Sequence, residues 1–271
     1  MIITYIEGGL GNMLSQFAFT LAKAKDESVD YGFLNYKRNL EIIREKHNAD
    51  VDSYENTILR NISFSGTPDA VGAMPRIEHF CPFEYRDIPY EQDCYNFYKG
   101  YFHSELYHRN QDDYLNSILK PTDEIDRLLK WKYPFLFKFN CLSMHVRRGD
   151  YLSLPNHHPV MDPDYYHRAV KLFSNIDKIL VITNDIDWCY KNLTDSRIIY
   201  IEEPDWLSLY IMSYCKNHII ANSSFSWWGA RLAEIFNKNQ NINVVYPKKW
   251  FGPAINHDLK DMIPGRWRRE P

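Results

Sequence analysis

Residues 139–150, Phe-Asn-Cys-Leu-Ser-Met-His-Val-Arg-Arg-Gly-Asp, decide the fold of this chain. The apolar run predicts a strand over Phe139–Val146, and two arginines follow it directly. Further strands are expected at Ile179–Thr183, Ile198–Ile201, His218–Ala221 and Ile242–Tyr246. Helices are expected between them near Pro163–Phe173, Ile186–Leu193, Asp205–Lys216 and Phe225–Phe236. This alternation is typical of a parallel, doubly wound sheet.

The chain begins with the same kind of unit. A strand over Ile2–Ile6 leads into the glycine turn Gly8-Gly9-Leu10-Gly11-Asn12, and a helix with one apolar face follows. Two such starts, at residues 1 and 139, predict an α/β protein of two Rossmann-type lobes whose parallel sheets face a cleft. We place the lobes at residues 1–130 and 131–271.

The stretch between these two starts is less regular. We expect a helix near Asn39–His47, a strand near Ile58–Phe64, a loop over Met74–Pro89 and a strand over Cys94–Phe102. Ser104 is expected to cap a helix that runs to about Leu119, and Thr122 the helix that follows.

Composition excludes several classes of protein. The chain has 271 residues, of which 45% are hydrophobic and 25% charged, so it is globular rather than disordered. A net charge of -3 argues against nucleic acid as a partner. The five cysteines are scattered, which is typical of a reducing compartment. Since the N-terminus has no basic segment before an apolar run, we expect a cytoplasmic protein.

The arginine pair after the strand is the strongest local signal. Residues at the carboxyl end of a parallel strand open into the ligand crevice, so Arg147 and Arg148 are placed to clamp a phosphate. The alternative is a surface Arg–Asp pair with Asp150 that caps the next turn. The glycine turn has two interpretations of equal weight: a cradle for an anion at a helix N-terminus, or a structural turn.

A third segment combines a buried strand with a polar helix start. Residues 219–230, Ile-Ile-Ala-Asn-Ser-Ser-Phe-Ser-Trp-Trp-Gly-Ala, present hydroxyl and N–H groups to an oxyanion, or form an ordinary N-cap. Acidic triplets such as Asp185-Ile186-Asp187 arise by chance in a chain with 35 acidic residues, so we expect no metal.

The order of these segments resembles the inverting α-1,2-fucosyltransferases of glycosyltransferase family 11. The segments that carry the resemblance are the glycine turn, Gly100–Glu105, His145–Tyr151, Ile182–Asp185 with Trp188-Cys189, Met212–Lys216, Asn222–Ala230 and Pro247–Phe251. The resemblance implies a GT-B-like pair of lobes that uses GDP-fucose as donor, with no cofactor or metal. The acceptor would be the 2-hydroxyl of a terminal β-galactose in an oligosaccharide or lipid-linked glycan.

Site roles follow from the same resemblance. Arg147 is expected to hold the β-phosphate, with His145 near the nucleotide. The other expected donor-binding residues are Gly9, Gly11, Asn12, Arg148, Asp185, Ser223, Ser224 and Phe225. Expected acceptor contacts are Tyr101, Tyr151, His157 and His158. The general base stays open: Asp150 either takes the acceptor proton or locks an arginine, and His157 and His158 are the other candidates.

Three positions depart from the family pattern. Met13 replaces a glutamine, Asn184 an aspartate, and Ser208 an aspartate for which Asp205 is a possible substitute. These departures leave two alternatives: a related transferase with another nucleotide sugar or acceptor, or a binding protein without catalysis. Peripheral membrane contact through Arg266, Trp267, Arg268 and Arg269 is also open, with a solvated tail as its alternative.

Overall fold

The computed structural model describes residues 1–47, 49–64 and 75–270. These residues form two compact units, Met1–Lys120 with Asp258–Pro264, and Pro121–His257 with Gly265–Pro271. The first boundary therefore lies at Lys120 rather than at the predicted residue 130. A short segment near the end of the chain returns to the first unit.

The first unit contains a parallel sheet. Its strands are β1 (Ile2–Tyr5), β2 (Tyr31–Leu34), β3 (Arg76–Phe80) and β4 (Tyr95–Lys99), in the order β2-β1-β4-β3. Its helices are α1 (Leu10–Glu27), α2 (Tyr36–His47) and α3 (Asp112–Leu119). Helix α1 connects the parallel strands β1 and β2, and its buried face includes Phe19, which stacks on Phe102 at 3.9 Å between ring centres.

Three predictions for this unit are corrected. The stretch expected to be loop contains strand β3, and Met74 of that stretch lies outside the described residues. Ile58–Phe64 is not a strand: after a 3₁₀ helix at Val51–Asn56, turns bury the side chains of Ile58 and Leu59. Ser104 caps only the 3₁₀ helix Glu105–Tyr107, and α3 begins later, at Asp112.

The second unit contains a larger parallel sheet. Its strands are β5 (Cys141–Val146), β6 (Lys178–Thr183), β7 (Ile198–Ile201), β8 (Asn217–Ile219), β9 (Asn243–Tyr246) and β10 (Arg268–Arg269), in the order β10-β9-β8-β5-β6-β7. Its helices are α4 (Asp123–Lys132), α5 (Pro163–Val170), α6 (Ile186–Asn192), α7 (Asp205–Ser213) and α8 (Ser224–Phe236). Thr122 caps α4 as predicted. All the predicted strands and helices from Phe139 to Tyr246 are confirmed, with ends that shift by a few residues.

The strand order positions the site. When β5 is counted as the first strand of this sheet, the spatial order is 6-5-4-1-2-3, which is the strand order of a Rossmann fold. In that fold the direction of winding reverses between the first strand and the fourth. Here those two strands are β5 and β8, which pair directly. Ligands of such sheets bind at the carboxyl ends of the strands at this reversal point. The segments that follow Val146 and Ile219 lie there.

Candidate active site

Arg147 leaves β5 at the carboxyl edge of the second unit's sheet. Its Nη2 donates to Asp150 Oδ1 at 2.6 Å, and its guanidinium lies 5.1 Å from the centre of the Tyr151 ring. Its Nε is buried and has no hydrogen-bond partner among the described residues. A buried N–H of a cation without an acceptor is costly, so this group favours an anionic ligand.

Arg148 differs from Arg147 in its surroundings. Its Nε donates to Asp185 Oδ2 at 2.9 Å, and its guanidinium lies 4.2 Å from the Trp188 ring centre. Asp185 also caps α6 through the N–H of Trp188. The charges of Arg148 and Asp185 therefore compensate each other. This geometry anchors the loop. Each of the two arginines thus has one carboxylate partner, and they differ in the buried Nε of Arg147, which has no acceptor among the described residues.

Asn184, one of the three departures from the family pattern, holds the same loop. Its Oδ1 accepts the backbone N–H of Arg148 at 2.9 Å. Gly149 has a φ of +46°, and a Cβ there would lie 2.3 Å from Asn184 Nδ2. The Asn184 carboxamide thus packs against a backbone turn whose positive φ only glycine adopts without strain.

Tyr151 connects this loop to the start of α8. Its hydroxyl donates to the main-chain oxygen of Asn222 at 3.2 Å and also hydrogen-bonds the Ser223 side chain. Its ring stacks on His158, with 4.5 Å between ring centres. Burial raises the pKa of Tyr151 above its ordinary value. Because the hydroxyl makes these hydrogen bonds within the protein, Tyr151 joins the arginine loop to the residues that precede α8.

The N-terminus of α8 completes this edge of the sheet. Ser223 occupies the N-cap position without a side-chain cap, and the first intrahelical bond runs from Trp227 N–H to Ser223 O. The N–H groups of the first turn lack intrahelical acceptors and carry the positive end of the helix dipole. Asn222 anchors the segment, because its Nδ2 donates to Pro159 O and Trp250 O.

His145 lies inside the sheet edge rather than on the surface. It is buried, its ring centre is 5.3 Å from that of Phe225, and its Nδ1 has no hydrogen-bond partner among the described residues. Burial, assisted by the charge of Arg147, lowers the pKa of His145 to about 3. The imidazole is therefore neutral at physiological pH.

The two adjacent histidines have different surroundings. His157 is exposed, and its main-chain oxygen accepts the N–H of Gly252. His158 is half-buried beneath Tyr151, and burial lowers its pKa despite the opposing charge of Asp150. Only His158 belongs to the group of side chains around Arg147.

The glycine turn of the first unit is held by a residue that the sequence analysis missed. Gly8 has a φ of +83°, its N–H donates to Asn39 Oδ1 at 3.0 Å, and its oxygen accepts from Asn39 Nδ2 at 2.9 Å. Gly9 is the N-cap residue of α1, whose first intrahelical acceptor is Gly9 O. Gly11 and Asn12 lie in the first turn of that helix. No local motif points to Asn39, which lies on α2.

A pocket of about 440 Å³ adjoins this turn. Tyr101 and Glu7 line it together, and their side chains hydrogen-bond each other. The remaining lining residues are Tyr5, Gly8, Gly9, Asn35, Arg38, Asn39, Ile42, Ile43 and Lys46. Burial and the Glu7 carboxylate raise the pKa of Tyr101. Of the four predicted acceptor contacts, Tyr101 is the one that lies in this unit.

A larger pocket, of about 960 Å³, lies at the opposite edge of the second unit's sheet, and none of the predicted site residues lines it. In the described parts of the chain, no three His, Cys, Asp or Glu side chains are grouped so that they could hold a metal ion. None of the helices in the described ranges is long and apolar enough to cross a membrane.

The model of the family Glycosyl transferase family 11 matches residues 80–252. The α-1,2-colitosyltransferase of Escherichia coli is 28% identical over 99% of this chain and 98% of its own length. The O-antigen biosynthesis glycosyltransferase WbnK of Escherichia coli is 36% identical, but the match covers only 41% of this chain and 39% of that protein. Among solved structures, the NodZ α-1,6-fucosyltransferase of Bradyrhizobium, soaked with GDP-fucose, matches with a TM-score of 0.52. It is 12% identical over 85% of this chain and 91% of that one, so the two share the fold.

Proposed function

The chain belongs to glycosyltransferase family 11, and we propose that it transfers L-fucose from GDP-fucose to the 2-hydroxyl of a terminal β-galactose, with inversion. The observation that carries this proposal is the unpartnered, buried Nε of Arg147 at the reversal point of a Rossmann sheet. The segment resemblance to the α-1,2-fucosyltransferases supports the donor, the acceptor and the linkage.

The chemistry of the transfer suits this edge of the sheet. Cleavage of the bond between fucose and phosphate leaves negative charge on the departing GDP. Arg147 and the first-turn N–H groups of α8 supply fixed positive charge and donors for that diphosphate. We propose that they do so without a metal ion or a cofactor. Arg148 acts as a positioning residue, because its Nε donates to Asp185, which in turn caps α6.

Asp150 is the carboxylate placed best for proton transfer. One of its oxygens accepts from Arg147, and its side chain is 44% exposed, so the other oxygen is accessible to an incoming hydroxyl. His145 is a weaker candidate because it is buried. We propose Asp150 as both the general base and the group that orients Arg147.

A second donor is favoured by a specific observation. The relative that matches nearly the full chain is named for transfer of colitose, a sugar that lacks the 3-hydroxyl of fucose. GDP-colitose is therefore the alternative donor. The second relative is named for O-antigen biosynthesis, and we propose a lipid-linked glycan as a candidate acceptor here.

The test is an assay of the purified protein with GDP-fucose or GDP-colitose, lactose as acceptor, and EDTA present. An α-1,2-linked fucosyl product supports the proposal, and preference for GDP-colitose supports the second donor. Product formation only after addition of a divalent cation contradicts the metal-free mechanism. Binding of either donor without turnover, across galactoside acceptors, indicates a binding protein and contradicts transfer.

A further inference from the structure

The sheet of the second unit has a second surface, at the amino ends of its strands. The large pocket lies there, beside the starts of β5, β8 and β9. Strand β5 separates it from Arg147 by its full length, about 20 Å at 3.3 Å per residue. The pocket therefore belongs to a different surface from the candidate active site.

Residues 136–139 line one side of this pocket, and the segment that leads into them combines aromatic and basic residues. Residues 130–139 read Lys-Trp-Lys-Tyr-Pro-Phe-Leu-Phe-Lys-Phe. Trp131 is 78% exposed, Phe137 41% and Phe139 48%. Lys130 Nζ lies 5.6 Å from the Phe137 ring centre, and Lys178 Nζ lies 5.8 Å from that of Phe139. Exposed aromatic rings beside lysines are typical of residues at a membrane–water interface.

The charge of the pocket has one sign. Lys138, Lys216 and Arg268 line it, all three are exposed, and none has a carboxylate partner among the described residues. No aspartate or glutamate lines the pocket.

Several carboxylates contact the pocket lining or the segment 130–139, and each has a hydrogen-bond or ion-pair partner. Asp177 accepts the N–H of Asn140, Glu203 pairs with Lys132, and Asp126 accepts from Tyr214. Glu234 pairs with Arg266 and accepts from Trp267 Nε1. Trp267 is buried, so the C-terminal segment cannot insert that ring into a membrane, although Arg268 contributes its charge.

The floor of the pocket is polar. Asn243 Nδ2 donates to Asn217 Oδ1 at 3.1 Å, and Asn217 Nδ2 donates to Asn140 Oδ1 at 2.9 Å. A row of carboxamides with remaining N–H and C=O groups suits a hydrated headgroup better than an acyl chain. The aromatic rings at the rim suit the apolar boundary beneath the headgroups.

We propose that this basic–aromatic surface, formed by Phe137, Lys138, Phe139, Lys216 and Arg268, docks on an anionic lipid bilayer. Lys138, Lys216 and Arg268, which have no carboxylate partner among the described residues, are attracted to the negative surface potential of such a bilayer, and the exposed rings enter its interface. The site at the carboxyl edge of the same sheet then lies on the side of this unit away from the lipid.

The experiment is co-sedimentation of the full chain with vesicles of phosphatidylcholine alone, or of phosphatidylcholine mixed equally with phosphatidylglycerol. The triple variant Lys138→Gln, Lys216→Gln, Arg268→Gln is expected to lose on the order of a hundredfold in vesicle partitioning, at about fivefold for each cation. The matched control removes the same number of charges elsewhere, in Lys37→Gln, Lys120→Gln, Lys191→Gln, whose side chains are exposed and do not line the pocket. Wild-type binding should also weaken as salt is raised.

A second pair of variants tests the aromatic part. Phe139→Ala, which removes a pocket-lining ring that is 48% exposed, is expected to weaken binding to the anionic vesicles. Phe80→Ala, which removes a ring that is 75% exposed in the first unit, is not expected to weaken it. Transfer to lactose in solution should stay at the wild-type level in every variant, so this test is independent of the proposed reaction. The proposal is overturned if the wild type binds neutral and anionic vesicles equally, or if the triple variant binds like its control. Loss of binding in both triple variants also overturns it, because net charge rather than this surface would then be responsible.

Discussion

The guanidinium of Arg147 lies 5.1 Å from the centre of the Tyr151 ring, while the Tyr151 hydroxyl donates to the main-chain oxygen of Asn222. Tyr151 thus contacts the cation of Arg147, which follows β5, and hydrogen-bonds the segment that follows β8. The two halves of the proposed phosphate site follow different strands, and the Tyr151 side chain contacts both of them.

Replacement of Tyr151 by phenylalanine should separate these two roles. The ring beneath Arg147 is retained, and the hydroxyl bonds to Asn222 and Ser223 are lost. Loss of a buried hydrogen bond costs about 1 kcal/mol, so we expect KM for the donor to rise about fivefold with a small change in kcat. Tyr190→Phe, at an exposed tyrosine, is the control. A donor KM equal to that of the wild type would show that the hydroxyl does not position the site.

Removal of the Arg147 side chain should abolish most turnover. Arg147→Ala is expected to lower kcat by about 10²–10³, as removal of a fixed donor to a developing anion does in other enzymes. Arg127→Ala, at an exposed arginine without an ion-pair partner among the described residues, controls for loss of charge. Melting temperature should remain close to the wild-type value in both. A folded, fully active Arg147→Ala enzyme is the result that contradicts the assignment.

The strands and helices from residue 139 to 246 were predictable because the strands there are buried apolar runs and the helices have a clear hydrophobic period. The exceptions have physical reasons. Strand β3 has alternating exposure at a sheet edge and follows Pro75, so its sequence resembles a loop. Ile58 and Leu59 favour a strand by composition, yet turns bury them equally well.

The site was only partly predictable for a related reason. The motif residues around Arg147 lie together as expected, since strand order brings the ends of β5 and β8 to one place. Their partners could not be read from the sequence. Asn39 reaches Gly8 from a separate helix, and the pairing of Arg148 with Asp185 depends on how β5 and β6 align.

The positive φ of Gly149 leads to a prediction about the stability of the protein. Alanine at this position requires a positive φ and places a Cβ 2.3 Å from Asn184 Nδ2. We expect Gly149→Ala to lower the free energy of unfolding by about 1–2 kcal/mol, measured by urea denaturation. Gly265→Ala is the matched control, because its φ is not positive and no atom lies within 4 Å of an added Cβ. Equal stability of the two variants would show that the loop relaxes around the new methyl group.

Asp150 is tested by a substitution that keeps its shape. Asp150→Asn retains an oxygen that accepts from Arg147 and removes the basic oxygen. If Asp150 is the general base, we expect kcat to fall by about 10²–10⁴ with little change in KM for the donor. If Asp150 only orients Arg147, the asparagine variant should retain most of kcat and Asp150→Ala should lose it. The ratio of kcat in these two variants therefore separates the two roles.

The buried imidazole of His145 predicts a loss of stability in acid. The folded protein holds the pKa of His145 at about 3, below the value of about 6.5 in the unfolded chain. As the pH falls, the unfolded chain therefore binds the proton at a higher pH than the folded protein does. The contribution of neutral His145 to the free energy of unfolding is complete above about pH 6.5 and is lost as the pH falls towards 3. His103 and His218, whose pKa values burial lowers to about 4, contribute in the same direction. We expect His145→Asn to reduce the slope of unfolding free energy between these limits, by at most about 1.4 kcal/mol per pH unit. An identical slope in His145→Asn and the wild type would mean that His145 is protonated in the folded protein, in conflict with its burial beside Arg147.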